Sequence, residues 1–405
     1  KKVGKVQELR SILPSTIKGQ IGIAHTRWAT HGGVTDENAH PHASSEGKVV
    51  IVHNGIIENF HELREELIAS GEEFLSETDS EVAAFLLAEA FRQTGDLTAA
   101  MQQVVQRLEG AFTLLVVHAD KPGVVVGARR NSPLVIGVGE GENFLGSDVA
   151  AFVAFTQKAL ALGQDQIVTI TDNAIDVITF EGEEVHPPEF TVDWDASAAD
   201  KGGWSSFMAK EISEEPEAVA NTIRGRLSPE GEVVIPELES LDVARIDRII
   251  FIACGTAAYA AMLGAYALEK WSGVPATVEL SHEFRYREPV VGPGTLVVSV
   301  SQSGETMDTL MAVRFAKEAG AQTLSICNTQ GATIPRESTA TLYTHAGPEV
   351  AVASTKAFLS QAVAVYLLGL YLGEHRGVVK PEDALSLAKD LHALPDQIQE
   401  MVETG

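Results

Sequence analysis

The sequence predicts two domains of different class: an antiparallel α+β domain in its first half and a doubly wound α/β domain with a parallel sheet in its second. Three observations carry this. Residues 1–190 hold short strand-like runs grouped around amphipathic helices, whereas from about residue 206 strand and helix alternate. Between them, "HPPEFTVDWDASAADKGGWSSF" breaks the periodicity with Pro187, Pro188, Gly202 and Gly203, which predicts a linker at 191–205. The length, 405 residues, exceeds what one hydrophobic core organises.

In chain order, "IGIAHTRWAT" and "KVVIVHNGII" read as strands. "FHELREELIASG" and "SETDSEVAAFLLAEAFRQTG" read as helices, the second opened by a capping cluster at Thr78, Asp79 and Ser80. Strands return in "FTLLVVHA", "GVVVGARR", "PLVIGVG" and "QIVTITDNAIDVITF". In the second half "RIIFIACGT" feeds the helix "AAYAAMLGAYALEKWSG" and "TLVVSVSQS" feeds "TMDTLMAVRFAKEAG", while "QTLSICN" leads towards "TIPRES". Continuous apolar runs of this kind suit parallel strands buried on both faces. The helix "AFLSQAVAVYLLGLYL" contains Ser360 and Gln361 and reads as too short for a membrane span.

Hydrophobic residues make up 45% and charged residues 21%, an ordinary globular balance, and the formal net charge is -26. Such a field repels nucleic acid and anionic membranes, so neither is expected as a partner. Two cysteines, Cys254 and Cys327, make no disulfide framework and point to a reducing compartment, the cytoplasm. "KKVGKVQELR" lacks the apolar segment of a signal peptide. Neither cofactor nor metal is expected: His25, His31, His40, His42 and His53 match no standard zinc spacing.

The stretch "SVSQSGETMDTL" sets Ser301, Gln302, Ser303 and Thr306 between the end of a strand and the start of a helix. Backbone N–H groups there, the positive end of the helix dipole and three hydroxyls suit an anion such as a phosphate, with Gly304 allowing close backbone approach. The plainer alternative makes Ser303 a helix cap. No lysine follows the glycine, so this is not a P-loop. "ACGTAAY" offers Gly255 and Thr256 at a second strand end, with Cys254 read as a buried structural thiol.

These motifs, with "HEFRYRE", "ICN" and "VASTKAF", closely resemble the sugar isomerase domain of the glutamine–fructose-6-phosphate aminotransferase family. "HTRWATHGG", "NAHPH", "VHNGIIEN" and "SETDSE" resemble that family's glutaminase domain, and the likeness runs in the family's order from Gly4 onwards. The resemblance implies an N-terminal-nucleophile glutaminase sandwich, antiparallel sheets between helices, over 1–190. A first sugar isomerase (SIS) domain is implied over 206–390, and the start of a connection to a second over 391–405. It implies conversion of fructose 6-phosphate and glutamine into glucosamine 6-phosphate and glutamate, and a homodimer. For glutamine it implies Arg27 on the carboxylate, Asp79 on the ammonium, Trp28 and His31 in the covering loop, and Asn54 and Gly55 as oxyanion donors. For the sugar phosphate it implies Thr256, Ala257, Ser301, Gln302, Ser303, Thr306, Val352 and Ser354. Taken singly, Arg27 also reads as half of a surface ion pair, Asp79 as an N-cap and Asn54-Gly55 as a hairpin turn.

The family's nucleophile is an N-terminal cysteine, and no cysteine precedes Cys254, so glutaminase chemistry is not expected from these 405 residues alone. The family's acid–base residues for the sugar are expected in a second isomerase domain beyond Gly405. Many members have serine after "CGT" where this chain has Ala257, which leaves only a backbone N–H there. Two other functions compete. A non-catalytic SIS-type sugar-phosphate regulator would carry a basic helix-turn-helix segment, and an amidophosphoribosyltransferase would carry an acidic pair before its phosphate loop. Neither is found.

Overall fold

The computed structural model describes residues 1–29, 31–192, 200–351 and 353–404. The chain divides into two compact units, Lys1–Asp193 and Trp194–Gly405.

Unit 1 opens with an exposed helix α1 (Val6–Ile12) and then builds two sheets, the larger of them packed against helices. Its elements are β1 (His42–Ala43), β2 (Val49–Ile57), α2 (Phe60–Ala69), α3 (Ser80–Thr94), α4 (Leu97–Val105), β3 (Gly110–His118), β4 (Val125–Arg130), β5 (Val135–Val138), β6 (Asn143–Gly146), β7 (Lys158–Ala161), β8 (Gln166–Ile170), β9 (Ile175–Thr179) and β10 (Glu189–Thr191). A six-stranded sheet runs β1-β2-β3-β4-β8-β9 and a four-stranded one β10-β7-β5-β6, every pairing antiparallel. Alternation along the strands assigns the faces. Leu114, Val126 and Ile167 join the core with α2, α3 and α4, while their neighbours Leu115, Val125 and Val168 pack into the core shared with β5, β6 and β7.

Two expectations fail here. Residues 21–29 form no strand: the edge of the sheet beyond β2 is taken by β1, and this run has no ladder and is largely exposed. Asn54 and Gly55 make no hairpin turn, because β2 continues through Ile57 and pairs residue by residue with β3.

Unit 2 runs α5 (Phe207–Ser213), α6 (Glu215–Ile223), β11 (Arg248–Ala253), α7 (Thr256–Ser272), β12 (Ala276–Leu280), α8 (Ser281–Tyr286), β13 (Thr295–Ser301), α9 (Met307–Glu318), β14 (Gln322–Cys327), α10 (Thr333–Glu337), β15 (Ala340–Tyr343), α11 (Lys356–His375) and α12 (Pro381–Thr404). All pairings in the sheet β12-β11-β13-β14-β15 are parallel. Every residue of β13 is buried, as a central strand covered on both faces requires. One face packs against α6, α7, α11 and α12, the other against α8, α9 and α10. Helix α12 crosses position 390 without a break.

By length and composition α11 is apolar enough to cross a membrane, contrary to the reading of its sequence as too short. It is a core helix instead: 78% of its most apolar window is buried inside the fold.

Candidate functional sites

Each unit holds one cavity that collects residues singled out from the sequence. In unit 1 the cavity measures about 330 Å³, and Arg27, Trp28, His31, Asn54, Gly55 and Asp79 all line it. Along β2 the residues Val49 to His53 are buried or half-buried, and Asn54, Gly55 and Ile56, which line this space, are exposed. Gly55 has φ +131°, and a Cβ there would sit 2.1 Å from the Ala111 carbonyl oxygen, so only glycine keeps β2 against β3.

Asp79 does not cap α3. Its Oδ2 accepts the Ile57 backbone N–H at 2.8 Å, which ties the helix start to the end of β2, and its Oδ1 accepts the Ser80 hydroxyl at 3.4 Å. Thr78 and Ser80 serve histidines: Ser80 Oγ bridges His53 Nδ1 at 2.9 Å and His40 Nε2 at 3.2 Å, and Thr78 Oγ1 meets His42 Nε2 at 3.2 Å. Arg27 is in no ion pair among the described residues. Its guanidinium donates to the carbonyls of Gly33 at 2.9 Å, Gly32 at 3.1 Å and His31, bracing the 31–33 loop. Glu77 and Asn38 fasten the same loop through Gly33. Trp28 is 79% exposed and His31 sits edge-on to Phe60.

His25, His40 and His53 also line the cavity; the sequence showed them in "HTRWATHGG", "NAHPH" and "VHNGIIEN" and as a histidine set without zinc spacing, with no site role assigned. The His25 and His40 rings lie 4.1 Å apart, and those of His40 and His42 4.8 Å. Burial, then the neighbouring cationic ring forms, pushes His40 down to about 2. Burial likewise takes His42 down to about 3, and His53 to about 4 despite the opposing pull of Asp79. At neutral pH the rings of His40, His42 and His53 are therefore neutral hydrogen-bonding groups, and the guanidinium of Arg27 and the carboxylate of Asp79 share the lining with His40 and His53. Nδ1 of His25, His31 and His40 and Nε2 of His53 are buried with no hydrogen-bond partner among the described residues.

A pH dependence follows. Unfolded histidines take up protons near pH 6.5, the folded ones only near 2 to 4. Stability is thus fully present above pH 6.5 and is lost as pH falls towards those lower values, by up to about 1.4 kcal/mol per pH unit for each histidine. Urea unfolding followed by circular dichroism should show the first transition moving to lower urea between pH 7.5 and 5.0. An unmoved midpoint would mean that the folded rings are already hydrated.

The unit 2 cavity, about 150 Å³, lies at the carboxyl ends of β11 and β13. In chain order the strands of this sheet run 2-1-3-4-5, and the direction of winding reverses between β11 and β13. That is the crevice where open parallel sheets bind ligands. Thr256, Ala257, Ser301, Gln302, Ser303, Thr306 and Ser354 line it; Val352 lies outside the described residues. Among the described residues no lysine or arginine lines it.

Ser301 Oγ accepts the Gly304 N–H at 3.0 Å and pairs with Thr306 Oγ1 at 3.1 Å. Ser303 does not cap α9, which starts four residues later; its Oγ accepts the Glu305 N–H at 3.2 Å, leaving its own proton for a ligand. Gly304 has φ +66°, and a Cβ there would lie 2.6 Å from Ala332 Cβ and 2.7 Å from Cys327 Sγ. Its small size thus serves packing against the neighbouring loop rather than approach to a ligand. Glu305 Oε1 anchors the same loop on Thr333 N at 2.7 Å.

Ser354 donates to Glu349 Oε2 at 2.9 Å, and Glu349 Oε1 accepts the N–H groups of Thr355 and Ala357. Buried Glu211 on α5 receives the N–H groups of Val350 at 2.6 Å and Ala351 at 2.9 Å. Cys327 is the fully buried thiol, pushed up to about 12 by burial; Cys254 is only half-buried and lines the cavity, contrary to expectation. Gln361, unremarked as a site residue, also lines the cavity with its buried Oε1 unpartnered among the described residues.

Residues 14–182 match the family model of the glutamine amidotransferase domain and residues 242–371 that of the SIS domain. The chain is 64% identical over 389 residues to the glutamine–fructose-6-phosphate aminotransferase [isomerizing] of Leifsonia xyli subsp. xyli, covering 95% of this chain and 63% of the relative. It is 56% identical over 412 residues to that of Corynebacterium glutamicum, covering 100% of this chain and 66% of the relative. The chain thus spans about two thirds of the length of these relatives. Among solved structures, the C-terminal domain of glucosamine-fructose-6-phosphate aminotransferase from Francisella tularensis is 37% identical, with a TM-score of 0.46, over 49% of this chain and 55% of that one.

Proposed function

Because the chain belongs to the glutamine–fructose-6-phosphate aminotransferase family, we propose that it serves the synthesis of glucosamine 6-phosphate and glutamate, binding glutamine in unit 1 and fructose 6-phosphate in unit 2. The observation that carries this is the cavity at the winding reversal of unit 2, lined by hydroxyls and the two amides of Gln302 and Gln361 and by no cation among the described residues. Neutral donors and the start of α9 suit a phosphate, while the unpartnered Gln361 Oε1 suits a sugar hydroxyl.

In unit 1, Asn54 and the Gly55 N–H are the oxyanion donors of this reading, and Asp79 the partner of the ammonium. Arg27 reaches a carboxylate by exchanging its loop carbonyls for it. Trp28 and His31 flank the entrance in the same reading, and the neutral histidines accept and donate to the amide. The proposal extends to a cytoplasmic location and to a homodimer; Tyr259, Leu263 and Tyr266, exposed on α7, support pairing with a second copy.

Calorimetric titration tests the unit 2 site directly. Fructose 6-phosphate should bind, and fructose at least about 100-fold more weakly, as expected for losing two hydrogen bonds to a charged group at roughly 1.5–3 kcal/mol each. Binding should weaken as pH falls through the phosphate's second pKa, about 6. Ser303→Ala should cost one such bond, about 1.5–3 kcal/mol. Equal affinity for the two sugars, or an indifferent Ser303→Ala, would remove the phosphate from this cavity.

A further inference from the structure

Next to the unit 2 cavity, three side chains of different chemistry converge. Cys254 Sγ, a ring nitrogen of His282 and a carboxylate oxygen of Asp308 all lie within 4.8 Å of one another. They come from three elements: Cys254 follows β11, His282 sits in α8 and Asp308 in the first turn of α9. The scaffold behind them is shared. Fully buried Ser281 and Thr309, the chain neighbours of His282 and Asp308, join hydroxyls at 2.9 Å, and Cys254 Sγ lies 3.9 Å from the same Thr309 hydroxyl. The donors therefore hang from one fixed hydroxyl pair, with their reactive ends turned outward: His282 is exposed, and Cys254 and Asp308 are half-buried.

We propose that Cys254, His282 and Asp308 form a binding site for a zinc-class divalent cation at the margin of the unit 2 cavity. Thiolate, imidazole and carboxylate together select a borderline-soft metal and not magnesium or calcium. Zinc bonds of about 2.0–2.3 Å set tetrahedral ligand atoms roughly 3.6 Å apart, so side-chain rotation of about 1 Å closes the set. As the Sγ–metal bond forms, the Cys254 thiol proton leaves to solvent. Three protein ligands leave the fourth tetrahedral position open, as in reactive rather than purely structural zinc sites. Cys254 is also part of the cavity wall, so the ion brings positive charge to a pocket whose described lining has none. The proposal does not rest on the sugar-phosphate reading, since metal binding is measured without any sugar.

The test is titration of the full 405-residue chain, reduced beforehand with a phosphine, with cobalt(II) alone. A thiolate-to-cobalt charge-transfer band should grow to one equivalent and vanish on adding zinc. Cys254→Ser should abolish the band, whereas Cys327→Ser should keep it. His282→Ala, at an exposed position that leaves the fold intact, should weaken cobalt binding at least tenfold, and so should Asp308→Asn. The proposal is overturned if excess cobalt gives no charge-transfer band, if the band survives in Cys254→Ser, or if His282→Ala binds as tightly as the parent.

Discussion

Gly55→Ala should unfold or severely destabilise unit 1, with a loss of roughly 4 kcal/mol or more. The added methyl would enter to 2.1 Å from the Ala111 carbonyl oxygen and 2.8 Å from Phe112 Cα, and both are backbone of the partner strand. Neither can rotate aside. Relief requires β2 to part from β3, the pairing at the centre of the helix-facing core. The φ of +131° adds strain, since L side chains rarely adopt it. Asn54→Ala is the control: its side chain faces the cavity, and its loss should cost under about 1 kcal/mol. Urea unfolding of both variants decides the matter. A Gly55→Ala protein within 1 kcal/mol of the parent would mean that β2 and β3 are not paired at this point.

Glu211→Ala should loosen the segment that carries Ser354, costing about 2–6 kcal/mol of stability, because two backbone N–H groups lose their acceptor at roughly 1–3 kcal/mol each. Glu211 Oε1 receives both Val350 and Ala351, across 139 and 140 residues of sequence. Its effect on the ligand is indirect, through placement of the loop, so fructose 6-phosphate affinity should fall at least tenfold while Glu211→Gln, which keeps an acceptor oxygen, retains most of it. Calorimetry on the two variants separates the cases. If Glu211→Gln loses as much as Glu211→Ala, charge rather than loop placement is what matters. If Glu211→Ala binds normally, the loop needs no such anchor.

Much of this was legible in the chain because it depends on neighbours in sequence. Apolar runs such as "TLVVSV" become buried central strands wherever they pair, and hydroxyls following such a run end near a helix start. The order of motifs likewise led to Arg27, Trp28, His31, Asn54, Gly55 and Asp79 in one cavity and to Thr256, Ala257, Ser301, Gln302, Ser303, Thr306 and Ser354 in the other, but assigned no site role to His25, His40, His53, Cys254 or Gln361. Local grammar misled where two local structures compete. Asp79 has the composition of an N-cap yet spends its carboxylate on Ile57 of β2, and Asn54-Gly55 has the composition of a turn yet lies within a strand. In both cases a partner distant in sequence outbid the local one.

Residue order alone therefore indicates most of the strands and helices and which residues can act as donors. Only the folded chain decides which donors meet. Parallel pairing of Ala253 with Val300 is what sets "CGT" beside "SQSG", and a shared Ser281–Thr309 hydrogen bond is what gathers Cys254, His282 and Asp308. Strand register and buried hydrogen bonds act between segments tens of residues apart, where a periodicity read along the sequence carries no information about distance in space.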